Sequence, residues 1–193
     1  MSSKRAAVFM ALALMLVGSA CVRPTRERLV VLGSSSAPAT SPDGAAAVSL
    51  GRLSVPEYLD GYDVITRISP HELQRADGSR WAERLPDAAA RVLRAALAAN
   101  GVRVDDDAAN VVSVEIAAFE GTADGVVVLS ATWEVHDRDR QPLVRSNWAT
   151  EQRSGPGAPA QAAAMELALQ GLAVEMAATI KALPAGEPAY RAE

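Results

Sequence analysis

The chain holds a single cysteine, Cys21, and it lies directly behind an apolar run near the start. One thiol closes no internal disulfide, so whatever forms here must be held together by an apolar core. The position of that thiol is a second constraint. Lys4 and Arg5 open the chain, Ala6 to Val17 is apolar, and Gly18, Ser19 and Ala20 are small. A basic start, an apolar stretch of about a dozen residues and small residues at a cut site make an export signal. The stretch is shorter than the roughly 20 residues a spanning helix needs. Residues 1–20 are therefore expected to be a lipoprotein signal peptide, and Cys21 the acylated first residue of the mature chain; an ordinary signal peptide cut near Ala20, leaving Cys21 a free thiol, is the alternative. Stable anchoring takes more than one acyl chain or a second signal, which a multiply acylated cysteine supplies. Val22 after the cysteine, where an aspartate would retain the protein at the inner membrane, favours the outer membrane.

Removing residues 1–20 takes away Lys4 and Arg5 and leaves 17 basic and 23 acidic residues, a net charge of −6. No basic patch stands out, and neutralising phosphates requires clustered Lys and Arg, so nucleic acid is not an expected partner. The same mild negative charge argues against electrostatic adhesion to anionic lipid and leaves the anchoring to the acyl group. About 150 residues remain for folding, enough for one domain with an ordinary core.

Residues 21–45 read as the lipidated cysteine, a tether, a short strand over Arg28 to Leu32 and a Ser/Pro/Ala-rich linker. Residues 46–184 read as the domain. Val48 to Val55 and Val64 to Ile68 are β-branched candidate strands. Glu72 to Arg75 is a candidate short edge strand ahead of an Asp77-Gly78 turn. Ala89, Val92, Leu93, Ala96 and Leu97 recur at helical steps between Pro86 and Asn100. Three strands then follow in close succession. Val112, Val114, Ile116 and Ala118 are expected to face inward on the first, and Val127, Leu129, Ala131, Trp133 and Val135 on the second. Val144 and Trp148 are expected to face inward on the third. Links this short require antiparallel neighbours. Met165, Leu169, Leu172, Met176, Ile180 and Leu183 stripe a last helix over 159–182, and residues 185–193 read as a flexible tail. The expected fold is α+β, a two-layer sandwich with a mostly antiparallel sheet and two amphipathic helices packed on one face.

Nothing in this pattern assembles an active site, a metal centre or a cofactor cradle. Ser34, Ser35 and Ser36 lack the glycine pair of a nucleophile elbow. His71 and His136 have no second ligand at metal spacing, and Asp105, Asp106 and Asp107 lack the alternation and glycine of a calcium loop. Gly155-Pro156-Gly157 has no lysine after it and reads as a loop. Of the carboxylates Glu115, Glu120 and Glu134, alternation sends the first and last to the solvent face. Trp81, Trp133 and Trp148 read as core or interface anchors. The chain is expected not to be an enzyme.

Val55-Pro-Glu-Tyr58-Leu59-Asp60-Gly-Tyr-Asp-Val64-Ile65-Thr66-Arg67 resembles the PqiC family, paraquat-inducible protein C and its YmbA-type relatives. Arg80-Trp81-Ala82-Glu83, Phe119-Glu120 and Leu129-Ser-Ala131-Thr-Trp133 follow in the family's order, and an alanine-rich helix closes the match. The similarity spans roughly Val48 to Leu183. It implies an auxiliary lipoprotein of an MCE-type, ABC-linked lipid transport system, anchored in the outer membrane and facing the periplasm. Such a protein docks onto an MCE-domain partner, and self-association into a homo-oligomer is implied with it. Energy would come from an inner-membrane ATPase, since this chain has no nucleotide motif. Tyr58, Leu59 and Tyr62 are the candidate partner contact, because aromatic anchors often dominate interfaces; a loop packed on its own sheet is the alternative. A structural or assembly lipoprotein of another envelope complex is the competing function.

Overall fold

The computed structural model describes residues 26–33 and 45–183. The signal peptide 1–20, Cys21, Ser34 to Ser36 with most of the linker, and the tail 185–193 lie outside the described residues. In order come β1 (Arg28–Val30), β2 (Ala46–Ser54), a 3-10 turn (Glu57–Leu59), β3 (Asp63–Ser69) and β4 (Glu72–Trp81). Then follow α1 (Leu85–Ala99), β5 (Val102–Val104), β6 (Val111–Thr122), β7 (Val126–His136), β8 (Pro142–Arg153) and α2 (Ala158–Ala182).

The eight strands form one sheet with β6 as its axis. One edge of β6 pairs antiparallel with β7 from Val111↔His136 to Gly121↔Val127, and β8 pairs antiparallel with β7 in turn. The other edge is shared. β2 runs parallel to the first half of β6, from Ser49↔Val111 to Ser54↔Glu115. β3 takes over at the far end through Thr66↔Gly121 and Arg67↔Thr122. β4 pairs antiparallel with β3, β1 parallel with β4, and β5 parallel with β2. The long ladders are antiparallel because β6, β7 and β8 are joined by short loops at 123–125 and 137–141. The parallel pairings are short, and those onto β6 come from strands on the other side of α1 in the chain. The result is an α+β two-layer sandwich whose sheet is mostly, not wholly, antiparallel.

Both helices lie on one face. α1 buries Leu85, Ala88, Ala89, Val92, Leu93, Ala96 and Leu97, the expected stripe, and its last turn is closed by Asn100 Nδ2 donating to the Ala96 carbonyl at 2.8 Å. α2 buries Met165, Leu169, Leu172, Met176 and Ile180 as the spacing predicts. Its outer face, however, also carries Leu167 and Val174, each at least half exposed. Amphipathic describes α1 well; α2 is apolar on more than one side.

Two local expectations are corrected by bulges. On β6 the register slips between Ile116 and Ala118, so one extra residue opposes β7. Such a bulge reverses which residues face inward. Phe119, fully buried opposite Leu129, takes the inward place expected of Ala118. On β4 the strand returns after Pro70-His71, where the sequence breaks β3, but runs straight through Asp77-Gly78, where a turn was expected. The register jumps from Ile65↔Arg75 to Asp63↔Arg80, and Gly78 absorbs the irregularity at φ +63°, where a side chain would be strained. β4 is an edge only over its first half, since β1 covers Ser79 to Trp81.

Candidate functional site

The connection between β2 and β3 crosses the fork at which β6 exchanges one partner for the other. Pro56 ends β2, and a tight turn follows. Leu59 N–H donates to the Pro56 carbonyl at 2.9 Å, and Asp60 N–H to the Glu57 carbonyl at 3.1 Å. With three residues per turn, consecutive side chains point about 120° apart, so Tyr58 and Leu59 cannot share a direction. Tyr58 is 39 % exposed and Leu59 is 2 % exposed. Leu59 is thus a core residue beneath the turn and not a surface contact, which corrects the sequence reading. Tyr62 is exposed beside Tyr58 in sequence.

The Tyr58 ring is half out of the protein, yet its hydroxyl turns inward. It donates to Glu120 Oε2 at 2.7 Å. Arg67 from β3 reaches the same carboxylate, with Nε and Nη2 each 2.6 Å from Oε1, and its Nη1 donates to the Pro70 carbonyl at 3.2 Å. Glu120 itself is almost fully buried. An ionised carboxylate out of water is costly unless paired and hydrogen-bonded, and here donors from two directions meet that requirement. Burial raises the Tyr58 hydroxyl above its usual 10.0, and the hydrogen bond to Glu120 and its charge raise it further. The hydrogen bonds to Glu120 in turn hold the Arg67 guanidinium charged, above its ordinary value.

A second polar side chain secures the fork from the helix side. Gln161, in the first turn of α2, is buried; its Nε2 donates to the Ile65 carbonyl at 2.8 Å, and Thr66 Oγ1 donates to its Oε1 at 3.3 Å. Glu120 and Gln161 are the buried polar side chains among the described residues. They grip opposite faces of the same short β3–β6 pairing. Tyr62 is fixed separately: Trp81 N–H donates to its carbonyl at 2.7 Å, and the Arg80 guanidinium lies over its ring, 5.3 Å from the centroid. Arg84 forms an ion pair with Asp60, and Leu85 N–H donates to the Gly61 carbonyl at 3.0 Å. The turn is thereby tied to β4, β6 and the start of α1, with two aromatic rings left facing outward.

The remaining sequence candidates are dispersed. Glu115 is exposed, while Glu134 bonds His136 at 3.1 Å and Arg145 at 3.0 Å on the open face of the sheet. Asp105 turns back on its own loop, accepting from Asp107 N–H at 3.1 Å. Trp81 and Trp133 are core, and half-buried Trp148 lies against α2. Sequence reasoning missed the Arg67–Glu120–Tyr58 cluster and Gln161. One signal was available: unbroken alternation from Val112 puts Glu120 inward, and a lone inward carboxylate needs either a partner or a bulge. It has both.

Residues 31–177, which include the fork and most of α2, match the family described as ABC-type transport auxiliary lipoprotein component. Among solved structures, the chain resembles the crystal structure of an uncharacterized protein at TM-score 0.68 and 19 % identity, covering 80 % of this chain and 99 % of the other. It also resembles a Xanthomonas campestris protein of family DUF330 at TM-score 0.61 and 19 % identity, covering 81 % of this chain and 93 % of that one. Those likenesses are of fold. No curated protein sequence matches the chain.

Proposed function

The chain belongs to the family of ABC-type transport auxiliary lipoprotein components, and we propose that it is the non-catalytic, outer-membrane-anchored subunit of an MCE-type intermembrane lipid transport system. In this reading acylated Cys21 fixes the chain to the membrane, the domain faces the periplasm, and several copies gather on an MCE-domain protein. Tyr58 and Tyr62 make the contact. The observation that carries this contact is the set of bonds that tie down the turn bearing them. A side chain already held in place loses less freedom on binding, and buried aromatic anchors dominate many interfaces. Tyr58 is held by Glu120 and Tyr62 by Arg80, so both rings are presented without the cost of ordering a free loop.

Co-purification of the MCE partner with Tyr62→Ala and Tyr58→Ala variants tests the contact. The expected loss of recovery is at least tenfold, about 1.4 kcal/mol, with the thermal midpoint of Tyr62→Ala close to that of the parent. Undiminished recovery from both variants removes these tyrosines from the interface. The anchor is tested by Cys21→Ala, which is expected to abolish palmitate incorporation and release the protein from the membrane fraction.

A further inference from the structure

The four most exposed large apolar side chains among the described residues are Leu29 at 69 %, Val31 at 55 %, Leu167 at 54 % and Val174 at 50 %. They are not scattered. Leu29 and Val31 belong to β1 and the residue after it, and Leu167 and Val174 to the outer face of α2. Between these two elements runs an open groove of about 570 Å³, lined by Leu29, Val31, Pro159, Ala162 and Ala163, with Arg28 and Glu166 at its polar points. Leu167 lies one helical turn beyond Ala163, and Val174 about two turns further. Apolar side chains left exposed along two neighbouring elements mark a place that something else covers.

We propose that this face seats on a phospholipid leaflet, so that the domain lies against the membrane and does not hang free from its anchor. The inference rests on the acylation of Cys21 proposed above. Three observations favour lipid as the occupant. First, four residues separate Cys21 from Arg26, so the five steps between them reach at most about 18 Å. A domain of this length has a radius of gyration of about 14 Å, so the tether is shorter than the domain is wide, and β1 is forced to the membrane side. Second, the segment entering β1 is cationic. Arg23, Arg26 and Arg28 stand against Glu27 alone, in a chain that is otherwise net acidic, and phosphate headgroups attract such a segment. Third, half of the most apolar 18-residue stretch of α2 is buried in the domain, while its outer face carries exposed Leu167 and Val174. A helix with one face in a protein core can lie on a bilayer and cannot pass through it.

The acylated full chain has no free thiol, so Leu29→Cys, Leu167→Cys and Val174→Cys each introduce one for an environment-sensitive fluorophore. Leu143→Cys, on β8 at the opposite edge of the sheet, is the comparison. The labelled proteins are reconstituted into phosphatidylethanolamine/phosphatidylglycerol vesicles with and without doxyl-labelled phosphatidylcholine. An apolar face seated about 5–10 Å into the headgroup boundary is expected to lose at least about twofold in fluorescence to doxyl lipid at positions 29, 167 and 174. Those positions are expected to be shielded from aqueous iodide, and position 143 to show the reverse. Iodide access at positions 29, 167 and 174 equal to that at 143 overturns the proposal. So does shielding from both quenchers, which means that protein, a partner or a second copy, covers the face. The mass of the N-terminal peptide separates the two readings. Acylated but unquenched protein sinks the docking alone, whereas unmodified Cys21 sinks the anchor and the docking with it.

Discussion

Glu120 is 2 % exposed and Leu29 is 69 % exposed, each the reverse of what its chemistry favours. Glu120 sits at the fork of the sheet, where β2 gives way to β3. Leu29 sits on the far edge strand, beside the outer face of α2 and its Leu167 and Val174. The two corners differ in where the compensation lies. The Glu120 carboxylate is answered within the chain by the guanidinium of Arg67 and the hydroxyl of Tyr58, so its burial is explained by folding alone. The aliphatic corner finds no such answer among the described residues. A buried charge with all its donors is part of the fold's own construction, and an uncovered aliphatic face points outside the molecule.

The comparison breaks most visibly if the buried carboxylate proves dispensable. Glu120→Ala leaves Arg67 with one carbonyl partner and the Tyr58 hydroxyl with none; removing one member of a fully buried pair costs about 3–5 kcal/mol, and roughly 2–4 kcal/mol is expected here because the Arg67 side chain is 33 % exposed and water reaches it. Denaturant unfolding of the variant is expected to show a loss of that size. The double variant Glu120→Leu, Arg67→Leu is expected to recover much of it, because an apolar pair of similar volume leaves no unpaired charge. A loss below about 1 kcal/mol for the single variant, the level of an ordinary surface pair, would show that the fork is not held by this cluster.

Tyr58→Phe is the next largest, since it deletes one hydrogen bond to a charged acceptor, worth about 1.5–3 kcal/mol. It also carries a pH signature. The folded-state pKa of Tyr58 is raised above 10.0, so the unfolded chain gives up this proton first as the solution becomes alkaline. The stability contributed by Tyr58 is therefore whole below about pH 10 and is lost as pH climbs through the raised value. Unfolding followed across this range is expected to fall less steeply for Tyr58→Phe than for the parent.

How these corners came to be legible, or not, follows from how local their causes are. The helices and the β6–β7–β8 meander were readable because a period of 3.6 or 2 and a short loop are properties of adjacent residues. The bulge of β6 was not, since nothing in Ile116-Ala117-Ala118 distinguishes the extra residue until β7 is set opposite. The parallel pairing of β2 and β3 onto one edge of β6 joins segments on either side of α1, beyond any local pattern. Leu59 was misplaced because exposure at a tight turn depends on direction, and Tyr58-Leu59 reads the same whichever side chain points in. Glu120 draws its partners from 53 and 62 residues away, so its burial belongs to the tertiary structure alone.

Both corners touch α2, through Gln161 at one end and Leu167 and Val174 along its length, so the contrast assumes that this helix cannot roll. Gly171 lets α2 approach Trp148 of β8 closely. A Cβ there would stand 2.8 Å from Trp148 Cη2, closer than packed atoms approach. Gly171→Val is expected to destabilise the domain by roughly 1–3 kcal/mol through overpacking, read as a lowered denaturant midpoint. If the variant is as stable as the parent, α2 has room to shift and its outer face is not uniquely defined.

The smallest expected change in stability is also the sharpest test of the contrast. Leu167→Ser and Val174→Ser alter side chains that are half or more exposed, so folding recovers little from them, and surface changes of this kind usually stay within about 0.5 kcal/mol. Leu169→Ala, at a fully buried position on the opposite side of the same helix, opens a cavity and costs about 2–5 kcal/mol. Unfolding of the three variants side by side therefore separates the face of α2 that belongs to the domain from the face that does not. Should Leu167→Ser destabilise the isolated domain as much as Leu169→Ala, the outer face would already be covered from within the chain. The aliphatic corner would then be a second instance of what Glu120 shows, an irregularity resolved by folding, and nothing outside the molecule would be needed to explain it.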